Sequence, residues 1–304
     1  MKIYQNLNEI PSIERGTMTI GTFDGFHLGH RKIISRLKEH QEKNGGDTFV
    51  ITFANHPFEI LFPEKVPEKV GTLDFKVNLL RESGIDHLIL IEFTKAFADM
   101  THDDFFNIIS SRFQYLQMVL GTNFRFGKGN IGDVHYIKSL ESKDHFRLEL
   151  IPDILLDGVK VSSSLIRRLI HEGQFEFVSQ MLSRDYYIEG NVMKGDQIGR
   201  DIGFPTVNLE NKSQVWAKEG VYKTETEVNG ERCPGMTFVG IKSVNSSVKK
   251  KMIETHIFDF NGDLYGTKIK VFFQKRIRNE MKFQSLNELK DQLVKDKEKV
   301  LSID

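Results

Sequence analysis

Thr19-Ile20-Gly21-Thr22-Phe23-Asp24-Gly25-Phe26-His27-Leu28-Gly29-His30 is the stretch on which the reading of this chain turns. A short apolar strand runs into a glycine-bearing turn. The spacing of Ile33, Ile34 and Leu37 then predicts a helix over residues 29–43, stopped by Gly45-Gly46. Strand, turn and helix in that order open a parallel β/α sheet, in which ligands bind at the carboxyl ends of the strands. The helix start offers unpaired amide N–H groups and the positive end of a dipole to an anion. His27 and His30 share one face of its first turn, where they can donate to phosphate oxygens and stabilise charge on a phosphorus under attack. Gly29 between them lets a nucleotide approach the backbone. The combination points to chemistry at the α-phosphate of ATP.

Other readings of the two histidines are weaker. A zinc site needs more ligands, and only Asp24 stands nearby. Two unrelated surface histidines would explain an isolated H-x-x-H, but not its place at a strand–turn–helix junction with Gly21, Gly25 and Gly29. H-x-G-H also marks class I aminoacyl-tRNA synthetases, which need a second lysine-rich signature and a tRNA-binding surface. Gly127-Lys128-Gly129-Asn130-Ile131-Gly132 spells G-x-G-x-x-G, yet residues 122–126 separate it from its strand and no Ser or Thr follows the lysine. It is therefore neither a dinucleotide fingerprint nor a P-loop, and a substrate-side loop fits better.

Composition narrows the class. A chain of 304 residues is long enough for two domains with cores of their own. Lys plus Arg and Asp plus Glu both number 42, so the footprint of a dedicated nucleic-acid binder is missing. Lys249-Lys250-Lys251 reads as a solvated turn. The single cysteine, Cys233, excludes an internal disulfide framework and suits a reducing cytoplasm. No apolar signal core opens the chain, and runs such as Leu88-Ile89-Leu90-Ile91 are far too short for a bilayer. The partners expected are small molecules, with no nucleic acid and no membrane; weak self-association stays open.

The two halves differ in rhythm. Strands at 48–53, 87–93, 116–120 and 146–150 alternate with helices at 75–83 and from the capping box Thr101-His102-Asp103-Asp104 onward. This predicts an α/β domain with a doubly wound parallel sheet over residues 1–184. From 185 the chain turns to short alternating strands, at 221–228, 236–240, 253–260 and 267–273, with hairpin signals at Asn229-Gly230 and Asn261-Gly262. A closing helix starts at the capping box Ser285-Leu286-Asn287-Glu288. The expectation for 185–304 is a small antiparallel β-barrel with a terminal helix, the boundary falling at Ser183–Asp185.

Several motifs in order carry a resemblance. They are the stretch 21–30, Thr52-Phe53-Ala54-Asn55-His56-Pro57, Gly121-Thr122-Asn123-Phe124-Arg125-Phe126-Gly127 and Val161-Ser162-Ser163-Ser164-Leu165-Ile166-Arg167. Gly190 and Gly195 follow, then Gly199-Arg200-Asp201-Ile202-Gly203-Phe204-Pro205-Thr206-Val207-Asn208 and Glu254-Thr255-His256-Ile257-Phe258-Asp259-Phe260 with Asp263-Leu264-Tyr265-Gly266. Over nearly the whole chain the sequence resembles the bifunctional bacterial riboflavin kinase/FMN adenylyltransferase (FAD synthetase) family.

The resemblance implies a nucleotidyltransferase-type sheet that moves an adenylyl group from ATP to FMN, and a barrel that phosphorylates riboflavin with Mg²⁺ and ATP. His27, His30 and Arg167 would stabilise the adenylyl transfer and Glu254 would be the base for the riboflavin 5′-hydroxyl. Phosphates would lie on Gly21, Phe23, Asp24, Gly25, Gly29, Ser162, Ser163 and Ser164 in the first half, and on Gly195, Gly199, Arg200, Pro205, Thr206 and Asn208 in the second. Thr206 and Asn208, pointing the same way along a strand, would hold the metal. Flavin would meet Asn55, His56, Asn123 and Arg125, and in the barrel Arg278, Glu280 and Phe283. Taken alone, 161–167 is also an ordinary serine cap with a surface arginine, Thr206 and Asn208 a cross-strand pair, and Glu254 a solvated strand residue.

The chain departs from the family at Ser164, usually Thr, at Val207, usually Ala, and at Gly240-Ile241-Lys242-Ser243-Val244-Asn245. A single-activity adenylyltransferase with a non-catalytic flavin-binding barrel, an enzyme with another acceptor, and a flavin-sensing RNA-binding regulator are the alternatives.

Overall fold

The computed structural model describes residues 1–142, 145–195, 198–211, 213–243 and 249–303. The chain divides into two compact units, Met1–Ser163 and Ser164–Asp304.

In the first unit, six strands form one parallel sheet: β1 (Lys2–Tyr4), β2 (Ile13–Ile20), β3 (Asp47–Phe53), β4 (His87–Ile91), β5 (Phe113–Gly121) and β6 (Phe146–Ile151). Their spatial order is β1-β4-β3-β2-β5-β6. Helix α1 (Leu28–Asn44) links β2 to β3, α2 (Leu73–Glu82) lies between β3 and β4, and α3 (His102–Ser110) between β4 and β5. The chain runs from β2 outward through β3 to β4, then returns to β5 on the other side of β2. The winding reverses between β2 and β5, and that crevice is where doubly wound sheets bind ligands.

Both faces of the sheet are covered. Phe49 and Ile51 join one apolar cluster with Phe105, Phe106 and Met118, whereas Val50 joins another with Ile34, Leu37, Leu80 and Val119. Alternate residues of β3 thus enter opposite cores, which explains the unbroken apolar run. The Thr101 hydroxyl accepts from Asp104 N at 3.0 Å and starts α3 where the capping box places it.

In the second unit, strands β7 (Tyr186–Met193), β8 (Val207–Glu210), β9 (Gly220–Val228), β10 (Glu231–Ser243), β11 (Lys249–Ile257) and β12 (Lys268–Arg278) form a closed antiparallel barrel. Its order is β7-β8-β11-β10-β9-β12. Helices α4 (Ser163–Glu172) and α5 (Phe175–Leu182) precede the barrel, and α6 (Leu286–Ser302) follows it. Ser285 caps α6 by accepting from Glu288 N, while the Glu288 carboxylate accepts from Gln284 N. One face of the strands carries the hydroxyl chain Thr224–Thr237–Thr255, linked at 2.8 and 2.9 Å. The opposite face presents Val221, Met236 and Phe238 to Val300 and Leu293 of α6.

Three sequence expectations change. Asn229-Gly230 is the expected hairpin, both residues at positive φ between β9 and β10. Asn261-Gly262 is not: β11 pairs with β8 and β10, β12 with β7 and β9, and an irregular segment joins them. A local turn signal cannot report that barrel closure has sent the next strand to the far side. Lys249-Lys250-Lys251 opens β11 and is not a turn. Of the 240–245 departure, Val244 and Asn245 lie outside the described residues.

Residues 164–182, which the change of rhythm left with the first half, group with the barrel. Phe175 of α5 is 1% exposed and lies 5.0 Å from the ring of Phe273, 5.5 Å from Tyr222 and 5.9 Å from Tyr186. The aromatic core of the second unit therefore needs α5. Phe175→Ala is expected to destabilise that unit by about 3–5 kcal/mol, measured as a lower urea midpoint of its unfolding transition.

Candidate active sites

The first site lies at the switch point. Gly21-Thr22-Phe23 follows β2 and Thr122-Asn123 follows β5, so both glycine-bearing motifs leave the strands that flank the crevice. They open onto a cavity of about 670 Å³, lined by Gly21, Phe23, His27, Gly29, His30, Asn123, Arg125 and Ser162. Phe53, Phe58, Phe62, Phe93, Phe97 and Phe124 also line it. That size takes a drug-sized ligand, and such a density of aromatic walls suits a planar ring system.

The turn into α1 is an unfavourable one. Phe23 and Phe26 have φ of 50° and 49°, and Gly25 has φ of 75°. A left-handed non-glycine residue costs about 1–2 kcal/mol. Burying an aromatic ring returns about 1.5–3 kcal/mol, and both Phe rings are 1% exposed. The result is that α1 starts with no side chain capping it, leaving its first amides for an anion.

His27 and His30 stack with ring centroids 3.7 Å apart and planes 17° from parallel. The His27 ring passes over Gly29, where a Cβ would meet it at 3.1 Å; glycine there makes room for the imidazole as well as for a ligand. Burial pushes His27 down to about 4, despite Asp24 nearby. Burial above all, then repulsion from Lys76 and from His27 whenever that ring is protonated, holds His30 well below the usual imidazole range. Both rings are therefore neutral at pH 7. Each Nδ1 is buried without a partner among the described residues. A proton there would be an orphaned donor, so we assign it to Nε2 in both.

This has a consequence for stability. Between the unperturbed imidazole value and about 4, the unfolded chain binds a proton at His27 that the fold refuses. Stability contributed by the neutral ring is therefore lost as pH falls through that window, by about 3 kcal/mol in all. Urea midpoints at about pH 7 and about pH 5 should differ less in His27→Gln than in the unaltered protein.

Other expected residues take defined places. Asp24 Oδ1 accepts from Val70 N at 2.9 Å and Gly71 N at 3.4 Å. Asn55 bonds both backbone groups of Phe93, Nδ2 to O at 3.0 Å and N to Oδ1 at 2.7 Å. His56 Nδ1 accepts from Phe58 N at 3.1 Å. Asn123 donates to Asp153 at 3.1 Å, and exposed Arg125 to Asn130 O at 3.4 Å. Ser163 Oγ donates to Asp24 O at 2.9 Å, tying the serine motif to the turn. Ser164 and Arg167 stand on α4 in the second unit, where they line a shallow basic concavity with Arg168, His171 and Lys218. Gly127–Gly132 is the bend of a small hairpin pairing Arg125 with Asp133, not a phosphate loop.

The second site lies on the outer face of the barrel. In the β8–β11 register Asn208 faces Glu254, and in the β10–β11 register Glu254 faces Phe238, so all three share that face. Glu254, Thr206 and Asn208 are half-buried. A Cβ on Gly195 would lie 2.2 Å from Asn208 Nδ2, and one on Gly199 would lie 2.2 Å from Phe204 O. Only glycine lets these two loop segments close on β8 and its lead-in. Arg200 lies 6.0 Å over the Tyr265 ring. His256, 8% exposed and lowered by burial, donates from Nδ1 to Pro205 O at 2.7 Å and fixes the residue before Thr206. Arg278 forks onto Asp296, with Nε and Nη2 at 2.9 and 2.8 Å from Oδ2, so its guanidinium anchors α6. Phe283 lies 5.9 Å from Arg278, and Glu280 is exposed.

Among the described residues no cluster of three His, Cys, Asp or Glu side chains could hold a metal. Mg²⁺ needs none, since it keeps waters and binds through substrate phosphates with one or two protein oxygens. Asn208, wedged against the Gly195 backbone beside Glu254, offers such an oxygen.

Family models for FAD synthetase and riboflavin kinase match residues 10–165 and 182–303. A bifunctional riboflavin kinase/FMN adenylyltransferase of Buchnera aphidicola subsp. Schizaphis graminum is 33% identical over 301 residues, 97% of this chain and 96% of that protein. The Bacillus subtilis protein of the same description is 34% identical, covering 94% of this chain and 92% of its own. The chain belongs to the bifunctional riboflavin kinase/FMN adenylyltransferase family.

A solved structure described as a macrolide-efflux protein from Streptococcus pneumoniae covers 100% of this chain with a TM-score of 0.89 and 26% identity. No helix among the described residues is long and apolar enough to cross a membrane. Within this riboflavin kinase/FMN adenylyltransferase fold, two features escaped sequence reasoning. The phenylalanines of the cavity come from five separate segments, and no local pattern groups them. Lys76, on α2, reaches the turn before α1 from far along the chain.

Proposed function

We propose that the chain makes FAD from riboflavin in two ATP-dependent steps, one in each unit. The observation that carries the first-unit reading is the stacked, neutral histidine pair at the head of an uncapped helix beside the switch point. In the barrel, Glu254 accepts the proton of the riboflavin 5′-hydroxyl as that oxygen attacks the γ-phosphate of ATP, giving FMN and ADP. Thr206 and Asn208 would hold Mg²⁺, which offsets charge on the phosphates when bound.

In the first unit, the FMN phosphate attacks the α-phosphate of a second ATP, and pyrophosphate leaves. The attacking oxygen is already anionic, so no base is required. His27 and His30 donate from Nε2 to the charge that builds on the reacting phosphate, and the first amides of α1 hold the nucleotide. The phenylalanine walls receive the isoalloxazine ring.

The test is a time course of flavin-free protein with riboflavin, excess ATP and Mg²⁺, separated by chromatography, beside a reaction begun from FMN. FMN followed by FAD is the expected result. FAD from FMN with riboflavin untouched, even under reducing conditions, would confine activity to the first unit. No FAD from FMN would overturn the reading.

A further inference from the structure

Lys76 belongs to none of the motifs above. Its ammonium donates to Thr22 O at 3.1 Å, Thr52 Oγ1 at 3.1 Å and Phe53 O at 2.8 Å. An ammonium has three protons, and all three find acceptors, on the segment after β2 and on the end of β3. The Thr52 hydroxyl donates in turn to Thr22 O at 3.2 Å. Thr22 begins the turn in which Phe23 and Gly25 have positive φ. Asp24 of that turn accepts from Val70 N and Gly71 N. The turn ahead of His27 is therefore tied twice to the chain around α2, once through Lys76 and once through Asp24. Strained backbone of this kind persists only where its surroundings over-determine it.

We infer that Lys76 is a positioning residue for adenylyl transfer: its cationic head locks the ends of β2 and β3 together, fixing the Thr22–Asp24 turn and so the histidine pair behind it. The inference rests on the adenylyl-transfer reading of the first unit.

The groups facing the ammonium are Asp24 from the turn, Lys69 from the loop before α2, and His30 from α1. Burial outweighs the attraction of Asp24 and pushes Lys76 down from 10.5 to about 8. Between those values the unfolded chain binds a proton that the fold does not, so Lys76 makes stability rise with pH across the window. The cation is held at some cost relative to the unfolded chain, yet it stays protonated at neutral pH. Function and stability thus pull in opposite directions as pH rises, which separates a positioning role from a structural one.

The experiment uses the full chain, with Lys76→Met and Lys76→Arg, measuring FAD formation from FMN, riboflavin phosphorylation and thermal midpoint from about pH 6.5 to about 9.5. In the unaltered protein, kcat/KM for ATP in adenylyl transfer should fall through about pH 8 while the midpoint does not. Lys76→Met should lower kcat about ten- to a hundredfold at neutral pH, with KM for ATP changing less, and should lose the alkaline limb. Riboflavin phosphorylation in the same preparation should stay within about twofold, and Lys76→Arg should recover part of the loss.

Adenylyl transfer within about threefold of the unaltered rate in Lys76→Met would overturn the inference. So would parallel loss of both activities with a fallen midpoint. An unaltered protein that forms no FAD from FMN would instead overturn the reading on which the inference rests.

Discussion

His27→Ala is expected to slow FAD formation from FMN by two to three orders of magnitude, about 3–4 kcal/mol of transition-state stabilisation. The estimate follows from what the ring is in this fold. Burial holds it neutral, so it contributes a preorganised Nε2–H dipole and not a cation. A dipole aimed at developing charge acts mainly in the transition state, so kcat should fall and KM for ATP should change little. Stacked at 3.7 Å on His30, it also sets the orientation of its neighbour. The His27→Ala/His30→Ala double variant should therefore lose less than the two single losses combined. Single-turnover adenylyl transfer measures both quantities, and riboflavin phosphorylation in the same chain serves as the control. Unchanged FAD formation in His27→Ala would show that the pair has no part in the chemistry.

How far the sequence foretold the structure depended on distance along the chain. Residues 19–30 contain their own strand, turn and helix start, so one local pattern gave the fold class and pointed to a candidate site. The caps at Thr101 and Ser285 are equally local, and both stand where the sequence puts them. Features made by long-range closure were invisible. Asn261-Gly262 has hairpin chemistry, yet barrel closure separates the strands on either side of it. Phe175 lies in a stretch with helical rhythm like the first half, and only its contacts with Tyr186, Tyr222 and Phe273 place it with the barrel. Arg278 looks like a polar tail residue until the buried Asp296 beneath it is seen. Asp24, Asn55 and Lys76 follow the same rule. Their polar atoms meet partners 23 to 54 positions away, which no local pattern reports.

Glu254→Gln is expected to remove most riboflavin phosphorylation while leaving FAD formation from FMN intact. Glutamine keeps the shape of the side chain opposite Asn208 and Phe238, so the register of β8, β10 and β11 survives. What disappears is the ability to take a proton, and a positioned base contributes about 10²–10⁴ in rate. Phosphoryl transfer passes through a loose transition state in which the nucleophile's proton departs late. That places the expected loss near the lower end, about 10². His256 is the competing acceptor on the same strand face, but its Nδ1 proton is committed to Pro205 O. Its Nε2 is thereby the only ring nitrogen with a lone pair to offer. His256→Asn should accordingly disturb Thr206 through Pro205 and raise KM for ATP more than it lowers kcat, the reverse of Glu254→Gln. A Glu254→Gln enzyme that phosphorylates riboflavin at the unaltered rate would assign the proton to another group. A loss near 10⁴ would exceed the share expected of the base in a loose transfer and point to the carboxylate ordering the Asn208 amide as well, which Asn208→Ala in the Glu254→Gln background would test by costing little more.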